Sequence, residues 1–258
     1  MRLRKALTLF AIVCALTGRA FTLRLAAQTP LRVAAAADLE PLLPPILQQF
    51  RKATGISAEA TYQASAVLTS QIENGAPFDL FFSADTGFPQ RIVDAGLAWD
   101  SAPVVYARGT LVLWTRNSSH LPPSLDLLRS PALKRLAIAN PESAPYGRAA
   151  VAALRGLGIF ESLQPRLVTA QNIAQTAQFV DSGNADAGLI SLTLAATPRL
   201  ASSGSYFTIP RTLYPPIQQA AVVLRRSTQA EAARKLLNFL LMPSVQAELA
   251  RGGLTPVN

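Results

Sequence analysis

The chain has 258 residues, half of them hydrophobic, and 24 Lys and Arg against 15 Asp and Glu give a formal net charge of +9. It is long enough to bury a substantial core, in one large domain or two small ones. The basic residues are scattered and do not interleave with aromatic residues, which argues against a nucleic-acid-binding protein.

The first 27 residues are predicted to be a cleavable signal peptide. A basic start precedes an apolar stretch at 6–16 and a small-residue signal at 18–20, with cleavage after Ala27 as the rival site. The apolar stretch is shorter than the roughly 20 residues of a membrane span. Cys14, the only cysteine, lies inside it, so the exported chain is expected to have no disulfide.

Strands and helices alternate along the rest of the chain. Apolar runs predict strands at 31–37, 57–62, 79–85, 104–109, 110–115, 135–140, 167–170, 186–191, 206–209 and 219–224. Helical spacing, N-cap residues and terminal glycines predict helices at 39–53 with a break at Pro44 and Pro45, and at 65–74, 86–96, 125–130, 146–158, 173–182, 192–196 and 228–241. This order is typical of an α/β fold with mainly parallel sheets.

The chain is predicted to form two lobes. Lobe 1 takes 28–108 and 209–258, and lobe 2 takes 109–208. The strands at 104–109 and 110–115 are the predicted crossover into lobe 2. The strands at 206–209 and 219–224 are predicted to return to lobe 1.

Four strand-to-helix turns share one pattern, a short apolar strand followed by a polar or tyrosyl residue and a helix start. They lie at 37–38, 64–65, 145–146 and 172–173, two in each predicted lobe. Asp38, Ser65 and Asn172 are the predicted N-cap residues of the helices that follow. Ligands of open α/β sheets bind beyond the carboxyl ends of strands, and helix N-termini offer free N–H groups to anions. Facing lobes would therefore hold a small tetrahedral oxyanion with neutral donors. The alternative for each turn is an ordinary βαβ corner.

The segment QIENGAPFDLFFSAD at 71–85 resembles the signature of the periplasmic molybdate-binding proteins of ABC transporters, the ModA family, and the resemblance runs from about 31 to 256. It implies a type II two-lobe periplasmic binding protein with a hinge of two crossover strands. It further implies high-affinity binding of molybdate or tungstate between the lobes, and delivery to an ABC permease with its cytoplasmic ATPase. A periplasmic monomer without cofactor or enzyme activity is expected.

The resemblance also assigns the ligand-binding residues. They are Ala37, Asp38, Ser65, Tyr146 and Ile173. Ser65 would donate its hydroxyl and its N–H. Tyr146 and Ile173 would donate backbone N–H groups, and the Tyr146 ring hydroxyl is a further candidate donor.

Two positions depart from the better-known branch of that family, which has serine in place of Asp38 and tyrosine in place of Ser191. A carboxylate beside a dianion repels it by roughly a few kcal/mol. The Asp38 side chain is therefore predicted to turn away and cap its own helix while its N–H faces the ligand. Tyr146, in the sequence APYG, resembles a second branch in which this tyrosine replaces the missing one. The alternatives are a plain helix cap for Asp38, a lobe-edge aromatic for Tyr146 and a core position for Ile173.

Enzyme chemistry has little support in the sequence. His120, the only histidine, lies in a polar loop and is predicted to be solvated. There is no Gly-x-Ser-x-Gly elbow and no clustering of metal-ligating residues. Two other functions remain open: a receptor for another tetrahedral dianion such as sulfate, and a cleft hydrolase, which would need a nucleophile and a base within hydrogen-bond reach.

Overall fold

Two five-stranded sheets form the framework of the computed structural model, which describes residues 29–257. The predicted signal peptide and Cys14 lie outside the described residues. The strands are β1 (Leu31–Ala36), β2 (Ala58–Gln63), β3 (Leu80–Ser83), β4 (Val104–Gly109), β5 (Leu111–Arg116), β6 (Leu136–Ala139), β7 (Leu167–Ala170), β8 (Ala187–Ser191), β9 (Gly204–Thr208) and β10 (Ile217–Val223).

Helices flank both sheets. They are α1 (Leu43–Thr54), α2 (Ser65–Glu73), α3 (Gly87–Asp94), α4 (Pro145–Gly156), α5 (Phe160–Leu163), α6 (Ile173–Asp181), α7 (Leu192–Ala195), α8 (Pro198–Ser203), α9 (Ala230–Leu240) and α10 (Pro243–Arg251). The short helices α5 and α8 and the terminal helix α10 were not predicted from the sequence. Within residues 29–257, no helix combines the length and the apolar character that a membrane crossing needs.

Each sheet is mixed rather than mainly parallel. In the first sheet, ordered β2-β1-β3-β10-β4, β1 runs parallel to both of its neighbours. β10 runs antiparallel to both of its neighbours, β3 and β4. In the second, ordered β7-β6-β8-β5-β9, β6 is parallel to its neighbours and β5 antiparallel. The antiparallel pairs arise because the strands beside the crossings carry the chain out of one lobe and back again.

The chain passes between the sheets twice. It leaves the first sheet at Thr110, between β4 and β5, and returns through 209–216, between β9 and β10. The strand predicted at 206–209 does not return to the first lobe. It is part of β9, which pairs with β5 in the second sheet. β9 is an exposed edge strand, and its side-chain pattern carries no signal for which sheet it joins.

The prolines that interrupt the first predicted helix stand at its true start. A 3-10 turn at Ala37–Leu39 comes first, and α1 then begins with Pro44 and Pro45 in its first turn. Proline is tolerated there because first-turn N–H groups have no helical acceptor. Gly55, at φ +76°, ends the helix in the left-handed conformation.

Both faces of the first sheet are covered, which fixes where its strand ends lie. Along β1, Val33 and Ala35 pack into one hydrophobic cluster with α1 and α9, whereas Ala34 packs into another with α2 and α3. A strand buried on both faces reads as a continuous apolar run. Its carboxyl end, at Ala36, packs with residues of the second lobe.

Candidate functional site

All five predicted site residues line one small cavity between the two sheets. Its walls are Ala36, Ala37, Asp38, Gln63, Ala64, Ser65, Ala84, Ala144, Pro145, Tyr146, Asn172 and Ile173. Among these lining residues none is a lysine, arginine or histidine. An anion held here would be bound by amides and hydroxyls, since the described walls offer no cation.

Ser65 is the first residue of α2 rather than the N-cap residue that the sequence predicts. The N-cap is Ala64, and no side chain caps this helix. The Ser65 hydroxyl oxygen instead accepts the Ala84 N–H at 3.2 Å, which leaves the hydroxyl proton free to donate. Ser65 is buried, and its described partner is an amide rather than a base, an arrangement that does not favour a hydrolase.

Tyr146 lies in the first turn of α4, directly after Pro145. Gly147 allows this helix start to press against the end of β6, because a Cβ there would lie 2.2 Å from the Ala139 carbonyl oxygen. First-turn N–H groups have no intrahelical acceptor, so the Tyr146 N–H is available at the cavity.

Ile173 begins α6, and Asn172 is its N-cap as predicted. The Asn172 Oδ1 accepts the Gln175 N–H at 2.9 Å. The Ile173 side chain packs into the core of the second lobe, so a core role and a place on the cavity wall are both present in the structure. Its backbone N–H is the group that an anion could use.

The Asp38 carboxylate does not cap its own helix, and that prediction is wrong. Asp38 lies inside the 3-10 turn, whose N-cap is Ala36. Its Oδ2 accepts a hydrogen bond from the Tyr146 hydroxyl at 3.2 Å and a second from Gln219 Nε2. The two donors come from α4 and β10, which are distant in the chain, and local sequence patterns do not predict such long-range contacts. The Tyr146 hydroxyl proton is thereby directed to Asp38 rather than to a ligand.

Sequence reasoning missed Gln219 and Tyr106. Both are fully buried, and the Tyr106 hydroxyl donates to Gln219 Oε1 at 2.8 Å. This bond directs Gln219 Nε2 toward Asp38 and toward the Tyr146 hydroxyl oxygen, 3.3 Å away. A glutamine inside the apolar run IQQAAVV was the available signal, because a buried polar side chain needs partners.

Burial raises the pKa of Asp38 from an ordinary value of 3.8 to about 7, although hydrogen bonds from Gln219 and Tyr146 oppose the rise. Burial, and then the nearby Asp38 charge, raise the pKa values of Tyr106 and Tyr146 well above 10. Both tyrosines therefore stay neutral donors at physiological pH, and Asp38 is the group of this network that titrates there.

Direct contacts connect the lobes around the cavity. The Ala66 N–H, in the first turn of α2, donates to the Ser143 carbonyl oxygen at 3.1 Å. Arg148 of α4 forms an ion pair with Asp85 at the end of β3 and lies 5.2 Å from the centre of the Phe88 ring. The two lobes are thus closed over the cavity in this structure.

Two other residues considered in the sequence analysis, His120 and Ser191, do not line the cavity. His120 is exposed in a left-handed turn. Ser191 is buried at the N-cap of α7, and its hydroxyl bonds Thr193 at 2.8 Å. Within residues 29–257 there is no group of three or more His, Cys, Asp or Glu that could hold a metal ion. A larger groove, about 940 Å³ beside Trp99 and Lys235, includes none of the predicted site residues.

Gly109→Ala is expected to displace the Tyr146 ring. A Cβ at Gly109 would lie 2.2 Å from the Tyr146 hydroxyl oxygen, so the hydroxyl must leave its place beside Asp38. We expect a loss of about 1–3 kcal/mol in the free energy of unfolding, measured by urea denaturation. Gly87→Ala is the matched control, since its Cβ would meet nothing nearer than 3.7 Å. Equal stability of the two variants would contradict the packing described here.

Two lobes with helix N-termini from both converging on one cavity define a solute-binding protein of the two-lobe type. The family of bacterial extracellular solute-binding proteins matches residues 31–255. The molybdate-binding protein ModA of Azotobacter vinelandii is 37% identical over 212 residues, 82% of this chain and 84% of that protein. The chain therefore belongs to the ModA family of solute-binding proteins.

Two further comparisons agree. ModA of Rhodobacter capsulatus is 36% identical over 194 residues, which cover 75% of each chain. The solved structure of the periplasmic molybdate-binding protein of A. vinelandii superimposes with a TM-score of 0.82 at 30% identity, covering 88% of this chain and all of that one. These relatives are molybdate-binding proteins, and the family is one of solute-binding proteins rather than enzymes.

Proposed function

We propose that this protein binds molybdate in the cavity between its lobes and delivers it to an ABC importer. The observation that carries the proposal is the convergence of the turns at Ala37, Ser65, Tyr146 and Ile173 on one cavity whose described walls include no basic side chain. Membership of the ModA family selects molybdate among small oxyanions.

The proposed contacts are neutral donors from both lobes. Ser65 supplies its hydroxyl and N–H, and the turns at Ala37, Tyr146 and Ile173 supply backbone N–H groups. Each hydrogen bond to a charged ligand contributes about 1.5–3 kcal/mol. About seven such bonds, reduced by the costs of association and lobe closure, give roughly −8 to −12 kcal/mol, equivalent to micromolar to nanomolar affinity.

The cellular setting follows from the same proposal. The first 27 residues direct export to the periplasm. The first lobe, formed by 28–108 and 209–258, closes against the second lobe, 109–208, around the ligand. A membrane permease with a cytoplasmic ATPase then takes up molybdate from the closed, monomeric binding protein. Tungstate, nearly the same size as molybdate, is a second ligand.

Competition calorimetry with molybdate, tungstate and sulfate tests the ligand assignment. Molybdate and tungstate should bind with micromolar or tighter dissociation constants, and sulfate at least about a hundredfold more weakly. Because donor number is the same for all three tetrahedral anions, the radius of the cavity must discriminate. Tight sulfate binding without a molybdate signal would reassign the protein to sulfate.

Ser65→Ala should weaken molybdate binding about tenfold or more, because it removes a hydrogen bond to a charged ligand. It also leaves the buried Ala84 N–H without the acceptor that Ser65 provides, so a loss of about 1–2 kcal/mol in unfolding free energy is expected alongside. Isothermal titration and thermal melting measure the two effects. An unchanged molybdate affinity in the folded variant removes Ser65 from the site.

A further inference from the structure

Asp38, which lines the anion cavity, has one carboxylate oxygen that is buried without a hydrogen-bond partner among the described residues. Asp38 is fully buried, and both donors that reach it, the Tyr146 hydroxyl and Gln219 Nε2, bond to Oδ2. Its Oδ1 is inaccessible and bonds no described protein group. An ionised oxygen in this position would oppose any anion in the cavity, whereas a protonated one would offer it a hydrogen bond.

We propose that Asp38 is protonated when the oxyanion is bound and that its Oδ1–H donates a hydrogen bond to the ligand. The inference rests on the proposed function. It makes Asp38 a hydrogen-bond donor to the anion rather than a carboxylate that repels it. The two donors on Oδ2 fix the orientation of the carboxyl group, since both need that oxygen as an acceptor. The proton must then reside on Oδ1. A carboxylic acid kept neutral by its apolar site can serve as an oxyanion donor.

The proton balance is simple. Ligand-free protein with an ionised Asp38 takes one proton from solvent as it binds the dianion, and the proton leaves when the ligand leaves. Molybdate itself stays fully deprotonated between pH 6 and 8. Binding therefore brings in one dianion together with one proton, and no covalent bond changes in the ligand.

Two other titratable side chains, Tyr106 and Tyr146, share the hydrogen-bond network of Asp38, and neither takes up this proton. The elements packed around its turn carry the titratable side chains Glu40, Glu59, Tyr62, Tyr106, Arg108, Tyr146, Arg148, Arg155 and Asp181. Of these described groups, the Tyr106 and Tyr146 hydroxyls belong to the Asp38 network, and the high pKa values of both keep them neutral. The raised pKa of Asp38, about 7, places its titration within the working range of a periplasmic protein.

Calorimetry at pH 6 and pH 8, in Tris and HEPES rather than phosphate, tests the proposal on the full exported chain. The buffers differ in ionisation enthalpy, so the dependence of the observed heat on buffer counts the protons taken up. We expect about 0.9 proton per molybdate at pH 8 and about 0.1 at pH 6. Because only the protonated fraction is competent to bind, the dissociation constant should rise about tenfold over this interval.

Asp38→Asn is the matched variant. Its amide oxygen can accept from Tyr146 and Gln219 while its NH₂ group takes the place of Oδ1–H, so it mimics the protonated acid. It should bind molybdate with less than a twofold change in affinity between pH 6 and 8 and with no proton uptake. Asp94→Asn, an exposed carboxylate on α3, should behave like the wild type.

Each outcome is decisive. Wild-type binding without proton uptake at pH 8, or uptake that persists in Asp38→Asn, overturns the inference and leaves the proposed function intact. A folded Asp38→Asn variant that no longer binds molybdate overturns the donor role. Should the variant fail to fold, the wild-type proton count still decides. If wild-type protein binds no molybdate at either pH, the proposed function fails and the inference fails with it.

Discussion

Gly147→Ala should lower both stability and ligand affinity more than any other single methyl group added to the site. The new Cβ would lie 2.2 Å from the Ala139 carbonyl oxygen and 2.9 Å from the Asn140 carbonyl carbon. These are backbone atoms of β6 and of its exit turn, so no side-chain rotation relieves the overlap. Helix α4 must move away from the sheet by an appreciable fraction of an ångström, and the Tyr146 N–H moves with it.

We expect a loss of about 3 kcal/mol in the free energy of unfolding and at least a tenfold weaker molybdate affinity. Urea denaturation and isothermal titration measure the two quantities. Gly87→Ala adds a methyl group at the first residue of α3, where the nearest atom is 3.7 Å away, and should leave both unchanged. A Gly147→Ala variant as stable as that control would show that α4 does not pack this closely on β6.

The second large effect concerns Asp38 in the ligand-free protein. A folded-state pKa of about 7 against 3.8 in the unfolded chain means that the folded protein binds more protons between these values. The stabilising contribution of the protonated Asp38 is therefore fully present below about pH 4 and is lost as pH rises through about 7. At one unit of pKa per 1.36 kcal/mol, the loss is on the order of 4 kcal/mol.

Asp38→Asn removes this titration, since an amide does not ionise. The unfolding free energy of the variant, relative to wild type, should therefore increase from pH 4 to pH 7 and level off above it. Chemical denaturation across this range measures the difference, and Asp94→Asn supplies the control for loss of one carboxylate. A difference that does not change with pH would mean that Asp38 is not buried as described.

The alternation of strands and helices was readable from the sequence because its signals are local. The N-cap role of Asn172 is confirmed, and its hydrogen bond spans three residues. The apolar strand at Leu80–Ser83 and the stop at Gly55 depend on equally short segments. Ser65 was predicted to be the N-cap residue but is the first residue of its helix. The two roles could not be told apart because an N-cap serine and a first-turn serine have the same sequence pattern.

Sheet pairing could not be read in the same way. The strand β9 has the composition of a half-exposed strand in either lobe, and only its pairing with β5 assigns it to the second sheet. The antiparallel strand β10 likewise joins β3 and β4 from the far end of the chain. Hydrophobic patterns report which face of a strand is buried, but they do not report its neighbour.

The sequence by itself determined that helix starts would follow apolar strand ends at Ser65, Tyr146 and Ile173, because each start is encoded within a few neighbouring residues. Only the tertiary structure decided what surrounds Asp38. Its partners Tyr146 and Gln219 are 108 and 181 residues away along the chain. The protonation of a buried carboxyl depends on the water excluded and the donors brought in by such distant segments, and no local pattern contains either.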